Sequence, residues 1–214
     1  EKIAYKPLRG SSRLAPLISA IGMSIFLQNY VQLVQTPNYL PFPNLIPDIG
    51  ILNPFTFLAT KTQIMIIFIT TISMAFLTIF IKKTRVGMAM RAVSQDHVMA
   101  RLSGVNIDTV ISSTFIIGSV LAAIGGVLIG CNVRQIDNYI GFLAGMKAFT
   151  AAVLGGIGSI PGAVIGALIL GFAESFAAGY ISSDYEDVVA FIILIIILSF
   201  KPDGIMGSFT AQKV

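Results

Sequence analysis

Residues 63–81 read QIMIIFITTISMAFLTIFI, a run of 19 residues without a charged side chain. An α-helix rises about 1.5 Å per residue, so a run of this length reaches across the hydrocarbon core of a bilayer, which is about 30 Å thick. Within that core, a single segment satisfies its backbone polar groups internally only as a helix. The run therefore predicts a membrane-spanning helix.

Apolar runs recur along the rest of the chain. Three of them are long enough to span a bilayer, and they comprise residues 14–34, 109–130 and 160–180. Two others, 143–157 and 188–200, are shorter than a typical span. The pattern predicts an all-α, polytopic membrane helix bundle with about five to six membrane segments, one of them short or broken, and a cytoplasmic loop between two spans.

The composition agrees with a membrane protein and excludes several other classes. Hydrophobic residues make up 55% of the 214 residues and charged residues 11%, against about 25% charged residues in an ordinary soluble domain. One cysteine excludes an intrachain disulfide framework. The sequence around the single histidine, His97, offers no metal-ligand set, and no nucleophile motif accompanies it. We therefore expect no metal site, no cofactor and no enzyme activity in this chain.

The basic residues indicate how the chain is oriented. If the first segment lies in the cytoplasm and the chain crosses the membrane six times, 11 of the 14 lysine and arginine residues fall on the cytoplasmic side. Membrane proteins carry such an excess in their cytoplasmic segments. We therefore attribute the net charge of +4 to orientation rather than to nucleic-acid binding, and we expect a cytoplasmic C-terminus.

A glycine-rich stretch, GGIGSIPG at residues 155–162, separates two apolar runs. It lacks the lysine and hydroxyl residue that end a phosphate-binding loop. Glycine and proline interrupt broken membrane helices. We expect a sharp helix break here, formed by Gly155, Gly156, Gly158, Pro161 and Gly162.

Small residues recur at four-residue spacing, at positions 118, 122, 126 and 130 and again at positions 158, 162 and 166. Such stripes let helix backbones approach closely in lipid. They predict a tightly packed bundle, part of whose surface could meet another subunit.

A few polar side chains lie within the apolar runs. Glu174 is the only acid inside a span, and an acid at that depth is either functional or held by an internal hydrogen bond or ion pair. Lys147 is a geometrically suitable partner for it. Gln28 and Asn29 either line a polar pathway or hydrogen-bond between helices. The candidates for a substrate pathway are therefore Gln28, Asn29 and Glu174.

Residues 84–108, TRVGMAMRAVSQDHVMARLSGVNID, mix charged and apolar side chains without being apolar enough to span the membrane. We expect a short helix or two in this loop. An amphipathic segment between two spans either lies on the membrane surface or docks into a groove on a cytoplasmic partner. The residues by themselves leave both interpretations open.

Several stretches resemble a known family. The loop sequence RAVSQD at 91–96, followed by Ala100 and by GV at 104–105, is similar to the coupling segment of the permeases of bacterial branched-chain amino acid ABC importers. The run GMKAFTAAVLGGIGSIPGA at 145–163 resembles the signature of their LivH-type subunit, and the ending FKPDGIMG at 200–207 also fits. The resemblance implies that residues 1–214 form a single transmembrane permease domain, without an N-terminal portion that carries further spans in the family.

The same resemblance implies a permease subunit of an ATP-driven importer that moves leucine, isoleucine and valine across the bacterial inner (cytoplasmic) membrane. The implied partners are two cytoplasmic ABC ATPase subunits, a second permease subunit of LivM type, an extracytoplasmic substrate-binding protein and the amino acid itself. ATP and Mg would be bound by the partner ATPases, because this chain has no nucleotide-binding motif. The implied ATPase-coupling residues are Arg91, Ala92, Asp96, Ala100 and Gly104.

Other functions fit parts of the pattern. Urea and short-chain amide permeases share much of the family's sequence. An ion- or proton-coupled secondary transporter would use Glu174 as its titrating carboxylate and the helix break as its site. A scaffold subunit that transports nothing is a further alternative.

Overall fold

Helices make up most of the computed structural model, which describes residues 5–8, 15–35, 38–43, 60–156, 158–201 and 203–207. The helices are α1 (Ala15–Val34), α2 (Lys61–Lys83), α3 (Arg85–Gln95), α4 (His97–Leu102), α5 (Ile107–Val133), α6 (Ile140–Gly155), α7 (Ile160–Tyr180) and α8 (Glu186–Phe200). Short 3-10 turns occur at Lys6–Leu8 and Ser183–Tyr185. The predicted all-α membrane fold is confirmed.

Three helices in the described part of the chain, α2, α5 and α7, are long and apolar enough to cross a membrane. Helix α1 coincides with the predicted run 14–34, of which Leu14 lies outside the described residues. The two short runs also form helices, because α6 has 16 residues and α8 has 15. At about 1.5 Å per residue, each is about 23 Å long, shorter than a typical span.

Some sequence predictions fall outside the described residues. Ile157 of the glycine-rich stretch and Pro202 of the family-like ending are among these positions, as are four of the basic residues used to predict orientation. Those four basic residues are at positions 2, 9, 13 and 213.

The chain divides into two compact units, residues 1–139 and residues 140–214. The first unit contains α1 to α5 and one pair of two-residue strands, β1 (Leu40–Pro41) and β2 (Gln135–Ile136). The strands are antiparallel, with Leu40 opposite Ile136. Through this pairing, the segment after α1 is hydrogen-bonded to the segment that follows α5. The organisation of all 214 residues as a single domain remains a prediction.

The second unit is built on an antiparallel hairpin of α6 and α7. A methyl group on Gly155 would collide with the carbonyl group of Gly162, and one on Gly166 would collide with the carbonyl oxygen of Ala151. The two backbones are therefore in direct contact, as small residues allow in membrane helices. Helix α8 packs on this hairpin, where Ala190 is buried against Ala151 and Leu170.

The end of α6 is closed by the segment that follows α8. The last carbonyl groups of a helix have no partner within that helix. Here the N–H group of Ile205 donates to the carbonyl of Leu154 at 2.9 Å, and that of Met206 donates to the carbonyl of Gly155 at 2.9 Å. Residues 203–207 thus complete the hydrogen bonding of α6 from a distant part of the chain.

Candidate functional site

The loop between α2 and α5 folds as two short helices, as expected from its sequence. Thr84 separates α2 from α3, because its hydroxyl donates to the carbonyl of Phe80 at 2.7 Å and accepts from the N–H group of Gly87 at 3.0 Å. Asp96 caps α4 by accepting from the N–H groups of Val98 at 2.7 Å and Met99 at 3.1 Å. Aspartate and threonine are favoured helix N-caps for this reason.

The two short helices are packed onto the start of α5. Val93 of α3, Ala100 of α4 and Val110 of α5 are buried together. Partly buried apolar residues surround them, namely Ala89, Met90, Val105 and Ile107. We call residues 85–104 the α3–α4 segment. Its core includes a residue of α5, so the segment and the start of that helix are packed together.

Gly104 ends the α3–α4 segment in the left-handed conformation, with φ at 80°. Its N–H group donates to the carbonyl of Arg101, and the N–H group of Val105 donates to that of Ala100, both at 3.0 Å. A glycine at this position is the usual end of a helix, because a side chain at positive φ is strained. Asn106 then caps α5 by accepting from the N–H group of Thr109 at 3.3 Å.

The five coupling candidates do not occupy equivalent places. Arg91, Ala92, Asp96 and Gly104 are exposed, whereas Ala100 is only 4% exposed and belongs to the core of the segment. Ala100 therefore supports the segment rather than offering a surface to a partner.

The α3–α4 segment exposes three of the apolar residues that make its sequence amphipathic. Val98, Met99 and Leu102 are 67%, 63% and 77% exposed, and their spacing puts them on one side of α4. Exposed apolar residues on one side of a helix suit the membrane surface or a groove on a partner. Their helical spacing in the sequence was the available signal.

The second unit contains a cluster of charges centred on Lys147 of α6. Its Nζ atom lies 2.9 Å from Oε1 of Glu186, 2.9 Å from Oδ1 of Asp187 and 3.4 Å from Oε1 of Glu174. The ion pair expected between Lys147 and Glu174 is present. The contacts from the first turn of α8 were not predicted from the sequence.

The other pathway candidates lie in the first unit. The Asn29 side chain donates to the carbonyl of Ile25, one turn earlier in α1, at 2.8 Å, and Gln28 is half-buried. Glu174 lies in the second unit.

The expected helix break is the turn of the α6–α7 hairpin. Gly156 and Gly158 have φ values of 108° and 93°, which only glycine adopts readily. Ser159 caps α7 by accepting from the N–H group of Gly162 at 3.1 Å, and Pro161 lies in the first turn of that helix. Within the described part of this stretch, the residues reverse the chain and pack it.

The sequence was compared with known protein families and with characterised relatives. Residues 10–198 match the family described as branched-chain amino acid transport system, permease component. The chain belongs to this permease family. Over its whole length this permease is 51% identical to the high-affinity branched-chain amino acid transport permease LivH of Escherichia coli strain K12, of which the match covers 70%.

A second relative is the permease BraD of Pseudomonas aeruginosa, named for the same transport system. It is 49% identical over all of this permease and 71% of the relative. A more distant relative is the galactofuranose transporter permease YtfT of E. coli, 27% identical over 74% of this permease and 47% of the relative. No solved structure matches this permease.

Proposed function

We propose that this permease is the membrane-embedded subunit of an ATP-driven importer that carries leucine, isoleucine and valine across the bacterial inner membrane. The observation that carries the proposal is the 51% identity to LivH over the whole chain. The proposed partners are two cytoplasmic ATPases, a LivM-type second permease subunit and an extracytoplasmic binding protein. ATP and Mg belong to the ATPases in this scheme.

The α3–α4 segment is the proposed mechanical link between the ATPases and the membrane helices. Its exposed apolar face at Val98, Met99 and Leu102 suits a groove on an ATPase, in the manner of a helix that binds through its apolar side. Its buried face packs on α5. When ATP closes the ATPases, the segment moves with them, and α5 moves with the segment.

The proposed substrate is a neutral zwitterion with an aliphatic side chain. Such a molecule needs few charges along its path, in agreement with the low charge content of the apolar helices. A more distant relative, 27% identical, is named as a galactofuranose transporter. Family membership alone therefore does not choose the substrate, and urea and short-chain amides belong in the test.

The proposal is tested by reconstituting the permease with its partner subunits into lipid vesicles and measuring uptake of labelled solutes. We expect uptake of leucine, isoleucine and valine only when ATP is supplied to the ATPases, and no uptake of urea. Uptake driven by a proton gradient without ATP, and abolished by Glu174→Gln, would instead support a secondary transporter.

A variant of the same assay tests the α3–α4 segment. Leu102→Asp places a charge on its exposed apolar face, and we expect ATP-driven uptake to fall at least about tenfold because ATPase docking loses apolar contact. The matched control is Ile181→Asp, which changes a similarly exposed residue, 68% exposed, after α7. Copurification of the ATPases should fall for the first variant and not for the second. Equal retention of the ATPases by both variants would reject the docking face.

A further inference from the structure

Helices α2 and α5 of the first unit border a groove of about 580 Å³. This volume lies within the range of about 300–1,000 Å³ that is typical of small-molecule sites. Four residues from each helix line it: Gln63, Ile66, Ile67 and Thr70 from α2, and Gly125, Leu128, Ile129 and Asn132 from α5. On both helices the spacing is i, i+3, i+4 and i+7, so each set belongs to one helix face.

The groove has polar groups at its ends and apolar walls between them. Because the short α3–α4 segment joins the last turn of α2 to the first turn of α5, the two long helices run in opposite directions. The amides of Gln63 and Asn132 therefore share one end, and Thr70 and Gly125 share the other. Seven residues separate the two ends along each helix, which is about 10 Å.

The polar groups of the groove are uncharged and can both donate and accept hydrogen bonds. A side-chain amide offers two donors and an acceptor, so it can bind a carboxylate or an ammonium group. The side-chain oxygen of Gln63 accepts from the N–H group of Thr60 at 2.9 Å. Among the described residues, neither Thr70 nor Asn132 has a side-chain hydrogen bond. Their polar groups are therefore available to a ligand.

We infer that this groove binds the aliphatic amino acid during its passage through the permease. The aliphatic side chain lies against the isoleucine and leucine walls, and the ammonium and carboxylate groups bind at the amide end. A lipid acyl chain would fit the walls, but it would leave the Thr70 hydroxyl and the Asn132 amide without hydrogen-bond partners, which is costly in hydrocarbon. The inference rests on the proposed function and adds a site to it.

Gly125 offers a direct way to change the size of the groove. A methyl group built on Gly125 meets no atom within 4 Å, so Gly125→Ala fills space without a clash. Ile67 is 64% exposed, and Ile67→Ala removes part of a wall with little loss of packing. Gly118 of the same helix also has nothing within 4 Å of an added methyl, but it does not line the groove. Gly118→Ala is therefore the matched control.

The test measures competitive uptake by the reconstituted importer. With Gly125→Ala, we expect the preference for leucine over valine to fall about tenfold, because one methylene in an apolar pocket is worth at least that much. With Ile67→Ala, we expect the preference for phenylalanine over leucine to rise. Gly118→Ala should leave both ratios as in the unmodified importer. Ratios of uptake are insensitive to the amount of protein inserted.

Unchanged uptake ratios in both Gly125→Ala and Ile67→Ala would overturn the groove as a substrate site. This is also the result expected if a lipid chain occupies the groove. If the Gly125→Ala variant does not assemble, the ratio of phenylalanine to leucine uptake by the Ile67→Ala variant decides whether the groove binds substrate. Failure of the unmodified importer to move any branched-chain amino acid would count against the proposed function instead.

Discussion

Lys147 holds three helices together through a single ammonium group. Its partners are Glu174 of α7 and the two acids that begin α8, Glu186 and Asp187. Acids in the first turn of a helix are also favoured by the helix dipole. The cluster is only partly exposed, with the side chain of Lys147 at 29% and that of Glu174 at 14%, so water screens its charges incompletely. Loss of the cation would leave three carboxylates close together.

Lys147→Met should therefore destabilise the permease. We expect a loss of about 1–3 kcal/mol in unfolding free energy, the range for removing a partner from buried or half-buried charged groups. The measurement is thermal melting of the detergent-solubilised permease. Lys83→Met, at an exposed lysine that ends α2, is the control for loss of one positive charge. Equal shifts in the two variants would contradict a structural role for the cluster.

The side-chain contacts within one unit were only partly predictable from the sequence. The pair of Lys147 and Glu174 could be proposed because each was conspicuous in an apolar run. The contacts of Glu186 and Asp187 depend on how α8 packs against α6, which no local pattern encodes. The amphipathic pattern of residues 84–108 could be recognised in the sequence, but which of its apolar side chains stay exposed depends on how α3 and α4 pack on α5.

At the scale of elements, the α6–α7 hairpin depends on glycine at specific places. Gly166→Ala forces a methyl group into the carbonyl of Ala151, and overpacking of this kind costs about 1–3 kcal/mol. Gly171 lies on the same helix with nothing within 4 Å of an added methyl. Gly171→Ala should therefore be neutral or raise stability by up to about 1 kcal/mol, through helix propensity.

These two variants are compared by the temperature at which the solubilised permease aggregates. A lower temperature for Gly166→Ala, with no loss for Gly171→Ala, is the expected outcome. If both alanines behave alike, close backbone contact is not what stabilises the hairpin.

The stripes of small residues show what a spacing pattern can and cannot predict. In the second stripe Gly162 and Gly166 lie at the close helix contact, while Gly158 lies in the turn. In the first stripe, an added methyl would meet no described atom within 4 Å at Gly118 or Gly126. Only Gly130 is covered, by the ring of Phe42 at 3.3 Å. A stripe predicts that close packing is possible, but the partner depends on the tertiary arrangement.

At the scale of the whole molecule, the order of the long apolar helices was predictable because bilayer thickness fixes the length of apolar runs. The closure of α6 by residues 203–207 was not, because it joins parts of the chain that share no local signal. It depends on Gly204, whose φ is 76°. A methyl group there would collide with the backbone of Gly156.

The second unit should therefore unfold more readily in the Gly204→Ala variant than in the Gly158→Ala variant. Both glycines have positive φ, so both variants incur backbone strain of about 1–2 kcal/mol. Only Gly204→Ala adds a clash, since an added methyl on Gly158 meets nothing within 4 Å. Limited proteolysis at the α6–α7 turn measures the difference. Comparable cleavage rates in the two variants would mean that the segment contributes little to closing α6.

The closure of α6 by residues 203–207 also affects the order of events during synthesis of the chain. Ile205 follows Leu154 by 51 residues in the chain. A ribosome adds about 5–20 residues per second, so synthesis of the intervening chain takes about 3–10 s. During those seconds the last carbonyl groups of α6 lack the donors they have in the finished protein. A pause in translation before residue 203 would lengthen this interval, in which proteases and chaperones meet an unfinished hairpin.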